Sequence, residues 1–272
     1  MSPDPQNKEL NALLRKLREQ YSQTLGTQPE PPAALDATEP LLGQFLRAFL
    51  LWESTTAKAA AALKRLEQAF VDFNELRIAM PDELASALGE RYPRGAERAL
   101  RIRTALNRVY ARQHKVTLEN LTTLSKREAR EYLESLDGVP GFVSARVSLL
   151  GLSGHSAPVD SRIHRRLMEA GVLPEDTTPE DGAGILEKRT RAGELPEVYA
   201  LLQAWADDGN FPPAESHLEF PKLPVRPAGP RTAVRDDSAA SADSSARASA
   251  RKRSGRGGSS SRAPRRRPGR QA

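Results

Sequence analysis

The residue best suited to chemistry is Asp160, in the run Val159-Asp160-Ser161-Arg162-Ile163. It stands where a helical stretch begins. A carboxylate there can accept a bond from the first-turn amides, as an ordinary N-cap does. The helix dipole also favours its ionised form. An ionised carboxylate can stabilise developing positive charge or take a proton from an attacking water. Upstream lies a Gly-rich turn, Leu136-Asp137-Gly138-Val139-Pro140-Gly141. Glycine permits unusual dihedrals and close backbone approach. The amides around Gly138, Val139 and Gly141, with the start of the next helix, could therefore meet one phosphate. The same turn would also serve as a plain connection between two helices.

Helices must position these groups. Ser125-Lys126-Arg127-Glu128 is a capping box that opens a helix running toward the turn. The apolar run Phe142 to Leu152 follows the turn as a second helix. A loop over Ser153 to Val159 then delivers Asp160. Further upstream, Thr38 is the expected cap and Pro40 the expected first-turn residue of a helix whose apolar face is broad enough for the core. That helix spans Leu41-Leu42, Phe45-Leu46 and Phe49 to Trp52. Ser54-Thr55-Thr56 breaks it and caps an Ala-rich helix from Ala57 to Phe70. Short helices over 72–80 and from Pro81 follow, then a long one from Ala96 to Lys115. Past Asp160, helices open at Thr178 and Pro196. No segment alternates as a strand does, so the fold class is all-α.

Hairpin and Asp together resemble the helix-hairpin-helix DNA glycosylases of the endonuclease III superfamily. Their hairpin is similar to Leu136-Asp137-Gly138-Val139, and their catalytic-Asp segment to Val159-Asp160-Ser161-Arg162-Ile163. The 24 residues from Leu136 to Asp160 match the family spacing without a gap. Arg91-Tyr92-Pro93-Arg94-Gly95-Ala96 resembles a further family segment. The resemblance covers roughly residues 38 to 210. It implies two helical lobes with a DNA cleft between them, and Asp160 as the catalytic group in removal of a damaged or mispaired base. It implies DNA-phosphate contacts from Gly138, Val139 and Gly141, with Arg146 and Arg162 beside them. Pro140 stands where the family usually has glycine, and proline has no N–H to donate.

Phe142 occupies the position where bifunctional relatives carry a Schiff-base lysine, and a phenyl ring forms no imine. The implied activity is monofunctional, by water attack. The alternative is a noncatalytic DNA-binding protein with a degenerate site. Trp52, Glu53, Phe142 and His155 are the base-pocket candidates, because the nucleotide must leave the stack to be reached. Trp52 could stack on the base and Glu53 could bond or protonate it, although Trp52 and Phe142 equally suit a core.

The chain has 272 residues and no cysteine, which excludes disulfides, Cys-ligated zinc and an iron–sulfur cluster. No histidine spacing suggests a metal site, and no phosphate-binding or dinucleotide loop is present. No cofactor is expected. The net charge of +6 is unevenly placed. Residues 226–272 hold thirteen Lys/Arg against three Asp, leaving the rest at −4. The expected organisation is an N-terminal helix and Pro-rich linker over 1–37, a globular domain over 38–220, and a disordered basic tail over 221–272. The tail's Arg251-Lys252-Arg253 and Arg265-Arg266-Arg267 suit polyanion binding. No apolar run is long enough to cross a membrane, and the first residues lack a secretion signal. An intracellular monomer is expected, associated with the nucleoid if bacterial.

Overall fold

A computed structural model describes residues 5–25, 35 and 37–209. The tail and most of the Pro-rich linker lie outside the described residues. The described chain is helical, with eleven α-helices and one 3₁₀ turn and no strand among the described residues. In order they are α1 (Pro5–Leu25), α2 (Pro40–Leu51), α3 (Thr56–Ala69), α4 (Phe73–Ile78), α5 (Pro81–Leu88) and α6 (Gly95–Gln113). The 3₁₀ turn Glu119–Thr123 precedes α7 (Lys126–Glu134), α8 (Gly141–Gly151), α9 (Ser161–Glu169), α10 (Pro179–Arg189) and α11 (Leu195–Asp207).

Several starts follow from sequence chemistry. Ser125 and Glu128 form the capping box of α7, and Thr178 and Asp181 form another on α10. Thr55 caps α3 by accepting from the Lys58 amide. The start of α2 differs from expectation. Its cap is Glu39, not Thr38, and no side chain of the cap bonds the first turn. Instead Glu119, distant in sequence, accepts from the Leu41 amide at 2.8 Å. A partner from another element replaces the local cap, which no local pattern reveals.

The helices fall into two groups around one shared core. α3 packs on α2 and α5, and α4 and α5 pack on α6. α9 packs on α10 and α11, and α1 packs on α11 through Leu10, Leu14, Leu17 and Tyr21. Contacts of α2 with α8, and of α11 with α3 and α8, join the groups. α8 is central: every residue from Phe142 to Leu149 is buried, including Ser144, Arg146 and Ser148. α7 and α8 pack on each other around the Gly-rich turn.

Candidate active site: a carboxyl pair and a hairpin

Asp160 caps α9, and only 2 % of its surface is exposed. One carboxyl oxygen accepts from the Ile163 amide at 2.9 Å. The other accepts from the Glu53 amide at 3.1 Å. Glu53 answers in kind. Its carboxylate accepts from the Ser161 amide at 2.9 Å and from the Ser161 hydroxyl at 2.5 Å. Each acid thus receives an amide from the other's segment, an interlock spanning 107 residues of sequence. Glu53 holds a left-handed backbone, φ 53°, which costs an L-residue roughly 1–2 kcal/mol. Such conformations persist only where the surroundings enforce them, and they concentrate at functional sites.

Burial is the main force on the Asp160 carboxyl, and the adjacent Glu53 charge adds to it. Together they push its pKa up to about 7. The Ile163 and Glu53 amides and the Arg162 charge act the other way. The group is therefore poised to exchange a proton near neutral pH, where a general acid or base is most effective.

The other candidates divide. Trp52 is the residue after α2 and is buried, but its ring is not open for stacking. The guanidinium carbons of Arg94, Arg101 and Arg98 lie 4.5, 5.1 and 5.6 Å from its centroid. Phe142 is core, edge-on to Tyr199 at 6.4 Å. His155 is exposed, and its Nε2 lies 2.8 Å from the Glu187 carbonyl, which ties it to α10 and not to the carboxyl pair.

Two expected phosphate contacts are corrected. Arg146 is buried, donating to the Tyr199 hydroxyl at 3.0 Å and to Gln44 at 3.3 Å. Arg162 is buried too, donating to the Ser54 carbonyl, to the Ala206 carbonyl at 2.7 Å and to Asp207 at 3.1 Å. Both guanidiniums are committed to internal acceptors.

The hairpin is the more open part of the constellation, with Asp137 and Gly141 exposed and Gly138 to Pro140 half-buried. Gly138 has φ 86°, and an added Cβ would come 3.2 Å from the Arg101 carbonyl, so glycine is required there. The Val139 amide donates to the Leu136 carbonyl at 3.2 Å, which removes it from the expected phosphate donors. Gly141 and Phe142 begin α8, where amides have no intrahelical acceptor. An acidic side chain stands nearby, since a Cβ at Gly141 would lie 3.9 Å from a Glu180 carboxylate oxygen. From behind, α6 braces the turn. Arg101 donates to the Gly138 carbonyl at 3.3 Å, and Arg108 pairs with Asp137 at 2.6 Å.

Sequence reasoning missed Arg98. It is fully buried and donates to the Phe49 and Leu50 carbonyls at the end of α2, and to the Pro93 carbonyl at 3.0 Å. Burial lowers its pKa to about 10, so it stays charged at neutral pH. Its one early sign was a position on an inward turn of α6, next to Ala99 and Ile102.

Among the described residues no group of three His, Cys, Asp or Glu is placed to hold a metal ion, and no helix is long and apolar enough to cross a membrane.

No family profile matches this sequence, and no curated protein matches it. Solved structures do match in fold. A trapped endonuclease III–DNA covalent intermediate superposes with a TM-score of 0.57 at 13% identity, covering 73% of this chain and 85% of that one. A non-covalent endonuclease III–DNA complex gives 0.56 at 14% identity, over 73% and 85%. An 8-oxoguanine glycosylase/lyase of Clostridium acetobutylicum, in complex with double-stranded DNA, gives 0.53 at 14% identity, over 75% and 70%. The chain has the endonuclease III-like fold.

Proposed function

We propose that this protein is a monofunctional DNA glycosylase of base-excision repair. The reading rests on one observation: the interlocked Glu53–Asp160 pair, buried and strained at Glu53, with burial raising the proton affinity of Asp160. Buried carboxyls whose proton affinity is raised by a neighbouring charge concentrate at functional sites. In the reaction, the C1′–N bond breaks and the base leaves with its electron pair. A water oxygen bonds to C1′, and the water's proton passes to the Asp160 carboxylate. The departing base takes its proton from solvent water, and the Glu53 carboxylate can accept a hydrogen bond from it. Entry of the nucleotide requires the Glu53 side chain to leave Ser161.

DNA is the partner. The hairpin around Gly138 and Gly141 meets the backbone through the first-turn amides of α8. Phe142, packed on Tyr199, offers no amine, so no Schiff base forms and no adduct is trapped by borohydride. The endonuclease III likeness and the DNA in those complexes support this reading.

A second reading is a noncatalytic DNA-binding protein. It is favoured by the 2 % exposure of Asp160, whose two oxygens both accept backbone amides. A panel of lesion-bearing duplexes separates the two. The glycosylase reading expects abasic sites from at least one lesion, lost in Asp160→Asn with DNA binding retained. Binding with no base release from any lesion favours the second.

A further inference from the structure

We propose that Arg162 and Asp207 are positioning residues that fix the Glu53 turn against the start of α9. The proposal rests on the reading of Glu53 and Asp160 as the reacting pair.

The turn between α2 and α3 has little support of its own. Within it, the Ser54 amide reaches the Leu51 carbonyl at 2.9 Å. Glu53, at φ 53°, must be held by something outside the turn. Arg162 supplies that hold. It leaves α9 two residues past Asp160, and its Nη1 donates to the carbonyl of Ser54, the residue after Glu53. Its Nη2 donates to the Ala206 carbonyl and to Asp207 at the end of α11. Asp207 in turn accepts from the Thr56 amide at 3.1 Å, past the turn, and from Gln203 at 2.9 Å.

One guanidinium and one carboxylate therefore tie three segments together: the far side of the turn, the first turn of α9 and the end of α11. Arg98 holds the near side through the Phe49 and Leu50 carbonyls. Glu53 lies between two anchored points. Its backbone amide is held on Asp160, and its side chain is held on Ser161. A rigid planar fork suits this task, and a lysine ammonium does not reproduce it. The charged groups facing Asp160 are Glu53, which raises its proton affinity, and Arg162, which lowers it.

The test uses the full chain with Arg162→Gln, Arg162→Lys and Asp207→Asn. Asp160 is titrated by carboxyl-carbon NMR, Glu53 amide exchange is measured, and base release is followed on the lesion panel. Arg162→Gln is expected to raise the Asp160 midpoint by about one unit, since an opposing charge is lost. Arg162→Lys restores most of the midpoint yet lowers kcat about tenfold or more with KM little changed. Asp207→Asn, the mildest change, speeds Glu53 amide exchange about tenfold if the clamp exists. Lower thermal stability with unchanged midpoint, unchanged Glu53 exchange and unchanged kcat overturns the proposal. If wild type releases no base, the glycosylase reading fails, and titration and exchange still decide the clamp.

Discussion

The hairpin and the carboxyl turn are built in opposite ways. The hairpin is partly open and braced from behind, with Arg101 on the Gly138 carbonyl and Arg108 on Asp137, and Gly141 at the start of α8 is exposed. The carboxyl turn is buried and held on all sides, by Arg98, Arg162, Asp207 and the mutual bonds of Glu53 and Asp160. The first arrangement suits a surface that a partner meets. The second suits chemistry that needs fixed geometry and little water, since preorganised groups act most strongly where water is excluded. On the proposed function, a single fold separates docking from reacting.

Changing each region should expose that contrast, and pH should have the largest effect. Folded Asp160 has a raised pKa of about 7, while an unfolded Asp titrates near about 4. The folded state therefore binds the extra proton between those values. The stability this contributes is full below about pH 4 and is lost as pH rises through about 7, by at most about 4 kcal/mol. Urea unfolding from pH 4 to 8 should show the decline, and Asp160→Asn should flatten it.

Next is Arg98→Met, which strips a donor from two buried carbonyls and one half-buried one. It should cost about 3 kcal/mol by urea unfolding, with the loss confined to stability and site geometry. DNA binding through the hairpin should survive in the folded fraction.

Gly138→Ala attacks the other region. Its positive φ and the 3.2 Å approach to the Arg101 carbonyl should cost about 1–2 kcal/mol. DNA affinity should fall several-fold while the Asp160 titration stays in place. A moved midpoint would show that the regions are not separate.

The smallest effect is expected from Glu180→Gln. Removing a carboxylate beside the start of α8 should tighten DNA binding about twofold at low salt, and the gain should fade as salt is added.

Much of the frame was legible in the sequence because it rests on local rules. Ser125-x-x-Glu128 and Thr178-x-x-Asp181 formed their capping boxes, Thr55 capped α3, and Asp160 stands at the start of α9. The all-α architecture and the endonuclease III-like fold followed from helical periodicity and from the hairpin-to-Asp spacing. Arginine was the chief source of error. Arg146 and Arg162 looked like surface cations, because arginine usually is exposed. Here they satisfy internal acceptors brought together only by tertiary packing, as does Arg98. The left-handed Glu53 and the Glu119 bond to the start of α2 were hidden for the same reason. Neither leaves a trace within a few residues of sequence.

The central claim is that Asp160 activates water for base removal. Its most direct measurement is single-turnover base release from the lesion panel, wild type against Asp160→Asn, with DNA affinity measured in parallel. The account predicts release by wild type, a fall of about a thousandfold in the variant, and binding within a few-fold. Equal release by both proteins, or none by wild type on any lesion, would contradict it.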